Sequence, residues 1–155
     1  GSIQYGMYYW DDNYPDSHVF AEGECLRKTF EPDFMLYHTM AVDEWGHMKG
    51  ADSAEYANAV AAVGHLIAAR MPEWLEKGYQ VVVTADHGMN NLGIHVGTEH
   101  AQREVALYIF SDKVENGRFE ENYISQLNVA PMVCRLLGIP AAEGMKQELE
   151  IQLNK

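Results

Sequence analysis

Residues 79–104 read YQVVVTADHGMNNLGIHVGTEHAQRE. The stretch opens with an apolar run of strand length and continues as a Gly- and Asn-rich loop that holds three histidines. A shorter motif of the same kind, DEWGH at residues 43–47, follows the apolar run FMLYHTMAV at residues 34–42. Carboxylates and imidazoles at strand ends, next to a long loop, are what a divalent-metal site in an α/β enzyme requires. The sequence therefore predicts a metal site.

The order of apolar and amphipathic segments indicates the fold class. An amphipathic helix is predicted to start at Asp52 or Ser53 and to run to about Met71. The predicted strands are continuous apolar runs that suit burial on both faces, at residues 34–42, 79–85 and 105–110. Strand, helix and strand in this order predict a parallel crossover. We therefore expect an α/β fold with a mostly parallel sheet and helices on both faces.

Capping and helix-breaking residues mark the other elements. Asp16 or Ser17 is expected to cap a helix that runs to about Phe30. Pro72 is expected to break or restart the central helix, because proline removes a backbone donor. A final amphipathic helix is predicted over residues 124–137.

Composition limits the classes of protein to which the chain can belong. Its 155 residues and 47% hydrophobic content predict one globular domain. Gly1 and Ser2 resemble a tag-cleavage scar, so residues 3–155 are interpreted as a single α/β domain. A net charge of −12 with only 11 Lys and Arg residues argues against nucleic-acid binding through a basic patch.

Two further features of the composition concern the membrane and the thiols. No apolar stretch is long enough to span a bilayer. Cys25 and Cys134 are far apart and lack CxxC spacing, so each is predicted to be a reduced core thiol. The sequence does not identify the cellular compartment.

The acidic residues of both motifs are paired with a histidine. Asp43 and His47 are four residues apart and flank Gly46, which would permit a sharp turn that aims both side chains at one point. Asp86 and His87 are adjacent, and from a strand end that enters a turn each could reach one of two neighbouring ions.

Two histidines of the loop compete for the remaining ligand position. His100 is favoured because it precedes the strand predicted to begin near Val105, where backbone order would hold it. His95 lies between Gly93 and Gly97 and is the alternative ligand, or an outer-shell or substrate-facing group. A site of carboxylates and imidazoles without thiolates suits zinc, with manganese as the second choice.

At these residues the chain resembles the alkaline phosphatase superfamily, especially its type I phosphodiesterase/nucleotide pyrophosphatase and phosphonoacetate hydrolase-like branches. Residues 33–50 resemble the strand that leads into that family's Asp-x-x-Gly-His metal motif, and TADHGM at residues 84–89 resembles its second metal motif. His100 and the segment after it resemble the family's final ligand histidine. Residues 124–140 resemble its closing helix. The resemblance implies an alkaline phosphatase-like core.

The resemblance also implies two divalent metal ions. One ion would take Asp43, His47 and His100, and the other would take Asp86 and His87 with an early Asp and the nucleophile. A Thr or Ser alkoxide would attack phosphorus while both ions stabilise the attacking and leaving oxygens. A water molecule would then hydrolyse the covalent intermediate.

The sequence departs from the family pattern at the catalytic nucleophile. Ser17 is a predicted helix cap and Thr29 has no strand-turn-helix context, so the nucleophile and the early Asp are not identified in this chain. The chain is interpreted as the C-terminal portion of a larger catalytic domain, with an incomplete core. We expect weak metal binding, negligible turnover, mobility of residues 88–104, and self-association through exposed apolar surface.

The predicted function of the intact protein is metal-dependent hydrolysis of phosphoric diesters or related small phosphorylated substrates. Two alternatives remain open. One is a phosphotransferase or mutase of the same superfamily, which would share the same metal residues. The other is a non-catalytic metal-binding α/β module.

Overall fold

The computed structural model describes residues 3–118 and 123–145. Within them the chain forms mostly short helices and one small sheet. The helices are α1 (Asp16–Phe30), α2 (Ala41–Lys49), α3 (Ala54–Ala68), α4 (Met71–Glu76), α5 (His100–Arg103) and α6 (Val129–Leu136). The strands are β1 (Val81–Val83) and β2 (Tyr108–Phe110), and a 3₁₀ turn at Gln126–Asn128 leads into α6.

The sheet is antiparallel, and the predicted parallel pairing of residues 79–85 with 105–110 is wrong. Val82 lies opposite Ile109 in a two-stranded antiparallel ladder. Between the strands the chain forms the loop that holds His87 and His95, followed by the single-turn helix α5. Strand β2 then runs back beside β1 in the opposite direction. A parallel partner would require a crossover over the face of the sheet, normally made by a longer helix.

The first predicted strand, residues 34–42, is also wrong. Residues 34–40 have no regular secondary structure, and α2 begins at Ala41. Exposure alternates along this extended segment, with Phe34 55% and Leu36 76% exposed. The segment is therefore half-buried on one face and exposed on the other, not buried on both.

The beginning of α2 depends on a residue far upstream. Asp16 was predicted as a cap of α1, but Pro15 occupies that position. The buried Asp16 carboxylate instead accepts hydrogen bonds from the backbone N–H groups of Met40 (3.1 Å) and Ala41 (3.4 Å). These are donors at a helix N-terminus that have no partner within the helix. Asp16 thus favours a helix where the apolar run alone indicated a strand.

The predicted helices are confirmed with small changes of boundary. The Ser53 hydroxyl caps α3 by accepting from Tyr56 N–H, and Pro72 stands at the start of α4. The last predicted helix is divided into the 3₁₀ turn and α6, and it ends before Gly138.

The aromatic part of the core lies where α1, α4 and the segment before α2 meet. Phe20 of α1 is 2% exposed, and its ring stacks on Tyr37 and Trp74 at centroid distances of 5.2 and 6.5 Å. The Arg70 guanidinium lies over the Phe20 ring at 5.1 Å. This aromatic cluster attaches the segment that leads into α2 to the other helices, and so positions α2.

The surface agrees with part of the expectations from composition. No helix among the described residues is long and apolar enough to cross a membrane. Cys25 and Cys134 are free thiols, but Cys25 is exposed and Cys134 is only half-buried, so neither is the core thiol that the sequence predicted. Exposed apolar side chains such as Leu36 and Leu92 are present, and self-association stays a prediction.

Glu24 is the centre of a polar cluster beside the aromatic core. Its carboxylate accepts hydrogen bonds from the Arg27 guanidinium (2.9 Å), Trp74 Nε1 (2.7 Å) and the Tyr37 hydroxyl (3.1 Å). Burial acts to raise the pKa of Glu24, but the three donors and the charge of Arg27 outweigh it and lower the pKa to about 2. The folded state therefore favours ionised Glu24.

This pKa predicts a loss of stability in acid. Because the pKa of Glu24 falls from 4.5 to about 2 on folding, its contribution is fully present above the higher value and is lost as the pH falls towards the lower one. Glu24→Gln keeps the shape but does not titrate, so its unfolding midpoint should fall less between about pH 5 and about pH 3. Circular dichroism melts of both chains test this, and equal acid dependence would contradict it.

Candidate metal centre

Helix α2 places two polar residues of the first motif, Asp43 and His47, on one face. Asp43 and His47 are one helical turn apart, with His47 Nε2 3.5 Å from Asp43 Oδ2. The predicted turn at Gly46 is wrong, because Gly46 lies within the helix. Its role is close contact: a Cβ there would lie 2.8 Å from Met89 Cε. Gly46 therefore packs closely against the Met89 side chain of the second motif.

The second motif meets the first at Asp43. His87, which follows β1, has its Nε2 3.7 Å from Asp43 Oδ1 and 3.7 Å from Asp86 Oδ2. Gln126 holds the backbone of the second motif, since its Nε2 donates to the carbonyls of Ala85 (2.7 Å) and Asp86 (3.0 Å). Nothing in the sequence pattern singled out Gln126, because it lies forty residues away on the closing 3₁₀ turn.

His95 completes a cluster with these two residues. One ligand atom from each of Asp43, His87 and His95 lies within 4.8 Å of the others, and all three side chains are partly buried. The rings of His87 and His95 stack at a centroid distance of 3.9 Å, and the His47 ring stands edge-on to His95 at 5.0 Å. Four of the predicted ligand residues therefore lie together with His95, which was the alternative.

Backbone carbonyls fix the tautomers of two of the imidazoles. His47 Nδ1 lies 2.8 Å from the Gly93 carbonyl, and His87 Nδ1 lies 3.0 Å from the Gly88 carbonyl. A carbonyl only accepts, so each Nδ1 carries the proton and donates. Each Nε2 then keeps its lone pair on the side of Asp43, as in metal sites whose histidines are oriented by a hydrogen bond from the other nitrogen.

The donor set fits a divalent cation. Asp43 Oδ1 is buried and has no hydrogen-bond partner among the described residues. A buried carboxylate oxygen without a partner is unfavourable unless a cation or a donor compensates it. Two imidazole nitrogens and one carboxylate oxygen are the three protein ligands typical of an open zinc site. The cluster can therefore hold an ion and leave a position free for a substrate oxygen.

His100 does not join the cluster. Its side chain is 89% exposed, and its Nδ1 pairs with the carboxylate of Glu104 one turn later. The residue opens α5 instead of leading straight into a strand, and the reciprocal capping box between Glu99 and Gln102 fixes this turn. The ligand role of His100 thus stays a prediction without support from the geometry.

His95 and His100 form a matched pair for testing the ligand assignment. His95→Ala should lower the zinc affinity of the 155-residue chain by at least about 100-fold, because even the loss of a group that only orients a ligand lowers affinity about 10–100-fold. His100→Ala should bind zinc as the parent does. Isothermal titration calorimetry of the three chains measures this, and the opposite ranking would restore His100 as the ligand.

Comparisons with known proteins point to one family. The family model of the type I phosphodiesterase / nucleotide pyrophosphatase matches residues 9–129, which include the whole cluster. No solved structure matches the chain.

Similar curated proteins are transferases by name. GPI ethanolamine phosphate transferase 3, catalytic subunit, from Mus musculus is 27% identical over 99% of this chain, and its Homo sapiens counterpart is 29% identical over 79%. GPI ethanolamine phosphate transferase 2 of Schizosaccharomyces pombe is 25% identical over 72%. The chain spans only 15%, 12% and 17% of the lengths of these three relatives.

Proposed function

The chain belongs to the type I phosphodiesterase / nucleotide pyrophosphatase family, and from that membership we propose that the protein carrying it is a metal-dependent phosphotransferase. The observation that carries the metal-dependent chemistry is the convergence of Asp43, His87 and His95 around a buried carboxylate oxygen that accepts no hydrogen bond from the described residues. Transfer is favoured over the predicted hydrolysis because the relatives named above are transferases.

The proposed site takes its first ion from these three side chains, with His47 and Asp86 beside them. His47 approaches the second oxygen of Asp43, and Asp86 is the most solvent-accessible acid of the group. Zinc is the proposed metal and manganese the alternative, since nitrogen and oxygen donors without thiolates suit both. When bound, such ions stabilise negative charge on the oxygens that attack and leave phosphorus.

The residues of this chain would orient and hold that centre. Carbonyls of Gly88 and Gly93 keep the Nε2 lone pairs of His87 and His47 turned toward Asp43. We propose that the nucleophile and an early Asp come from a part of the protein outside this chain, and that the core is alkaline phosphatase-like. The whole activity is therefore proposed for the longer protein.

The transferred group is proposed to be ethanolamine phosphate, as in the names of the relatives. The nucleophile oxygen would bond to phosphorus as the donor's ester oxygen leaves and takes up a proton. The acceptor's hydroxyl oxygen would then bond to phosphorus, lose its proton, and release the nucleophile. Hydrolysis is the same sequence with water as the acceptor, so the two functions differ only in the second step.

A partition assay separates the two. The full-length protein that carries this chain is incubated with a labelled ethanolamine phosphodiester and an alcohol acceptor. We expect the label on the acceptor, with release as free ethanolamine phosphate a minor product. Label found only as free ethanolamine phosphate would replace transfer with hydrolysis, and no turnover with metal bound would favour a binding module. His65→Ala, a change of an exposed histidine on α3, is the matched control and should not alter the partition.

A further inference from the structure

We infer that Asn90 and Gln102 are positioning residues that hold His95 against Asp43 by fixing the backbone of Ile94. The inference rests on the proposed function, because it concerns the side chains that bring the third ligand to the metal centre. Neither residue belongs to the metal motifs, and neither side chain is part of the ligand cluster.

Asn90 folds the chain between the second motif and His95 into a compact loop. Its side-chain Oδ1 accepts hydrogen bonds from the backbone N–H groups of Leu92 (3.0 Å) and Ile94 (2.9 Å). The backbone N–H of Asn90 donates to the Ile94 carbonyl (3.1 Å). The side chain is thus the acceptor for two backbone donors that no strand or helix satisfies. Asn90 is 8% exposed, so water does not compete for these bonds.

Gln102 is the second side chain that bonds the backbone of Ile94. Its Nε2 donates to the Ile94 carbonyl (3.1 Å), and its Oε1 accepts from Glu99 N (3.2 Å). Gln102 is 5% exposed and lies on α5. Glu99 links the two amides, since its Oε2 accepts from Asn90 Nδ2 at 3.2 Å. Ile94 therefore has both its N–H and its carbonyl bonded to buried side chains, immediately before His95.

The same loop also orients a second imidazole. Gly93, whose φ is +73°, donates its N–H to the Asn90 carbonyl, and its own carbonyl accepts from His47 Nδ1. A Cβ at Gly93 would lie 2.7 Å from the His47 carbonyl oxygen, so only glycine fits against α2. Asn90 thus acts on His95 through Ile94 and on His47 through Gly93. A change at Asn90 should disturb both rings and leave the remote aromatic core intact.

The test uses a change that breaks one hydrogen bond and a second change that restores it in the opposite direction. Asn90→Asp keeps the acceptor for Leu92 and Ile94 but faces the carboxylate of Glu99 with another carboxylate. Zinc affinity of the 155-residue chain should fall about 10–100-fold, as for other groups that orient ligands. In the double variant Asn90→Asp/Glu99→Gln the amide at position 99 donates in the other direction, and most of the affinity should return. Gln102→Glu, which loses the donor to the Ile94 carbonyl, should lose affinity to a similar extent.

A second measurement needs no metal. Ring protons of His87 and His95 should show a nuclear Overhauser effect in the parent chain, because the rings stack at 3.9 Å. This signal should disappear in Asn90→Asp and Gln102→Glu and return in the double variant, while contacts of Phe20 with Trp74 persist in all of them. Asn58→Asp, an exposed substitution of the same kind on α3, is the control and should change nothing.

The outcomes separate this inference from the proposed function. Parent-like zinc affinity and a retained His87–His95 signal in both single variants would overturn the positioning role. So would a double variant no better than Asn90→Asp alone. A parent chain that binds zinc no more tightly than Asp43→Asn would instead overturn the metal centre, and the ring-proton signal would still decide whether Asn90 and Gln102 place His95.

Discussion

Asp43→Asn is expected to lower the zinc affinity of the chain by at least about 100-fold and to remove the transferase activity proposed for the full-length protein. Asp43 is the only carboxylate in the three-residue cluster found among the described residues. One of its oxygens faces His87 and the other faces His47. The amide keeps the shape but removes the negative charge that attracts the cation. Calorimetric zinc titration of the chain and the partition assay measure the two effects.

The control for this change is Asp52→Asn, which removes the same charge from an exposed position just before α3. It should leave zinc binding and turnover at the level of the parent. Equal losses in the two variants would mean that net charge, and not the cluster, attracts the ion. Undiminished zinc binding in Asp43→Asn would remove Asp43 from the site.

Phe20→Ala is expected to lower the free energy of unfolding by about 3–5 kcal/mol, the usual range for a buried phenylalanine. Phe20 is 2% exposed, stacks on Tyr37 and Trp74, and accepts the Arg70 guanidinium on its face. The cavity would separate α1 from the segment that leads into α2. Urea unfolding followed by tryptophan fluorescence measures the loss.

Phe34→Ala is the matched change at an exposed ring. Phe34 is 55% exposed, so its truncation should cost less than about 1 kcal/mol. If the two variants unfold at the same urea concentration, the core is not at Phe20.

The sequence predicted best where chemistry and local periodicity coincide. Helix α3, its Ser53 cap and the restart at Pro72 follow from periodicity and capping, and the structure confirms them. The motifs with Asp43 and Asp86 were predicted to lie at one end of the fold, and His87 does meet Asp43. The resemblance of the same motifs to the family is confirmed by the match of the family model. The ligand roles of these residues stay predictions.

The differences have a common physical cause, which is contact between residues distant in sequence. Helix α2 begins inside an apolar run because Asp16, more than twenty residues earlier, satisfies its first backbone donors. The pairing direction of β1 and β2 depends on the path of the loop between them, which the apolar pattern of the strands does not encode.

The choice between His95 and His100 shows the same limit. Both histidines occur in a loop without a hydrophobic period, so no periodicity distinguishes them. His95 reaches the cluster because Asn90 and Gln102 bond the backbone before it. His100 is directed away because it opens a capped helical turn. Gly93 was not interpreted as a signal for His95 in the sequence, but in the structure it has φ +73° and its carbonyl accepts from His47 Nδ1.

The most direct measurement of the central claim is an anomalous-scattering crystal structure of the 155-residue chain grown with zinc. The account predicts an anomalous peak about 2.0–2.2 Å from a carboxylate oxygen of Asp43 and from one nitrogen each of His87 and His95. A peak held by His100 and Glu104, with none at Asp43, would contradict it.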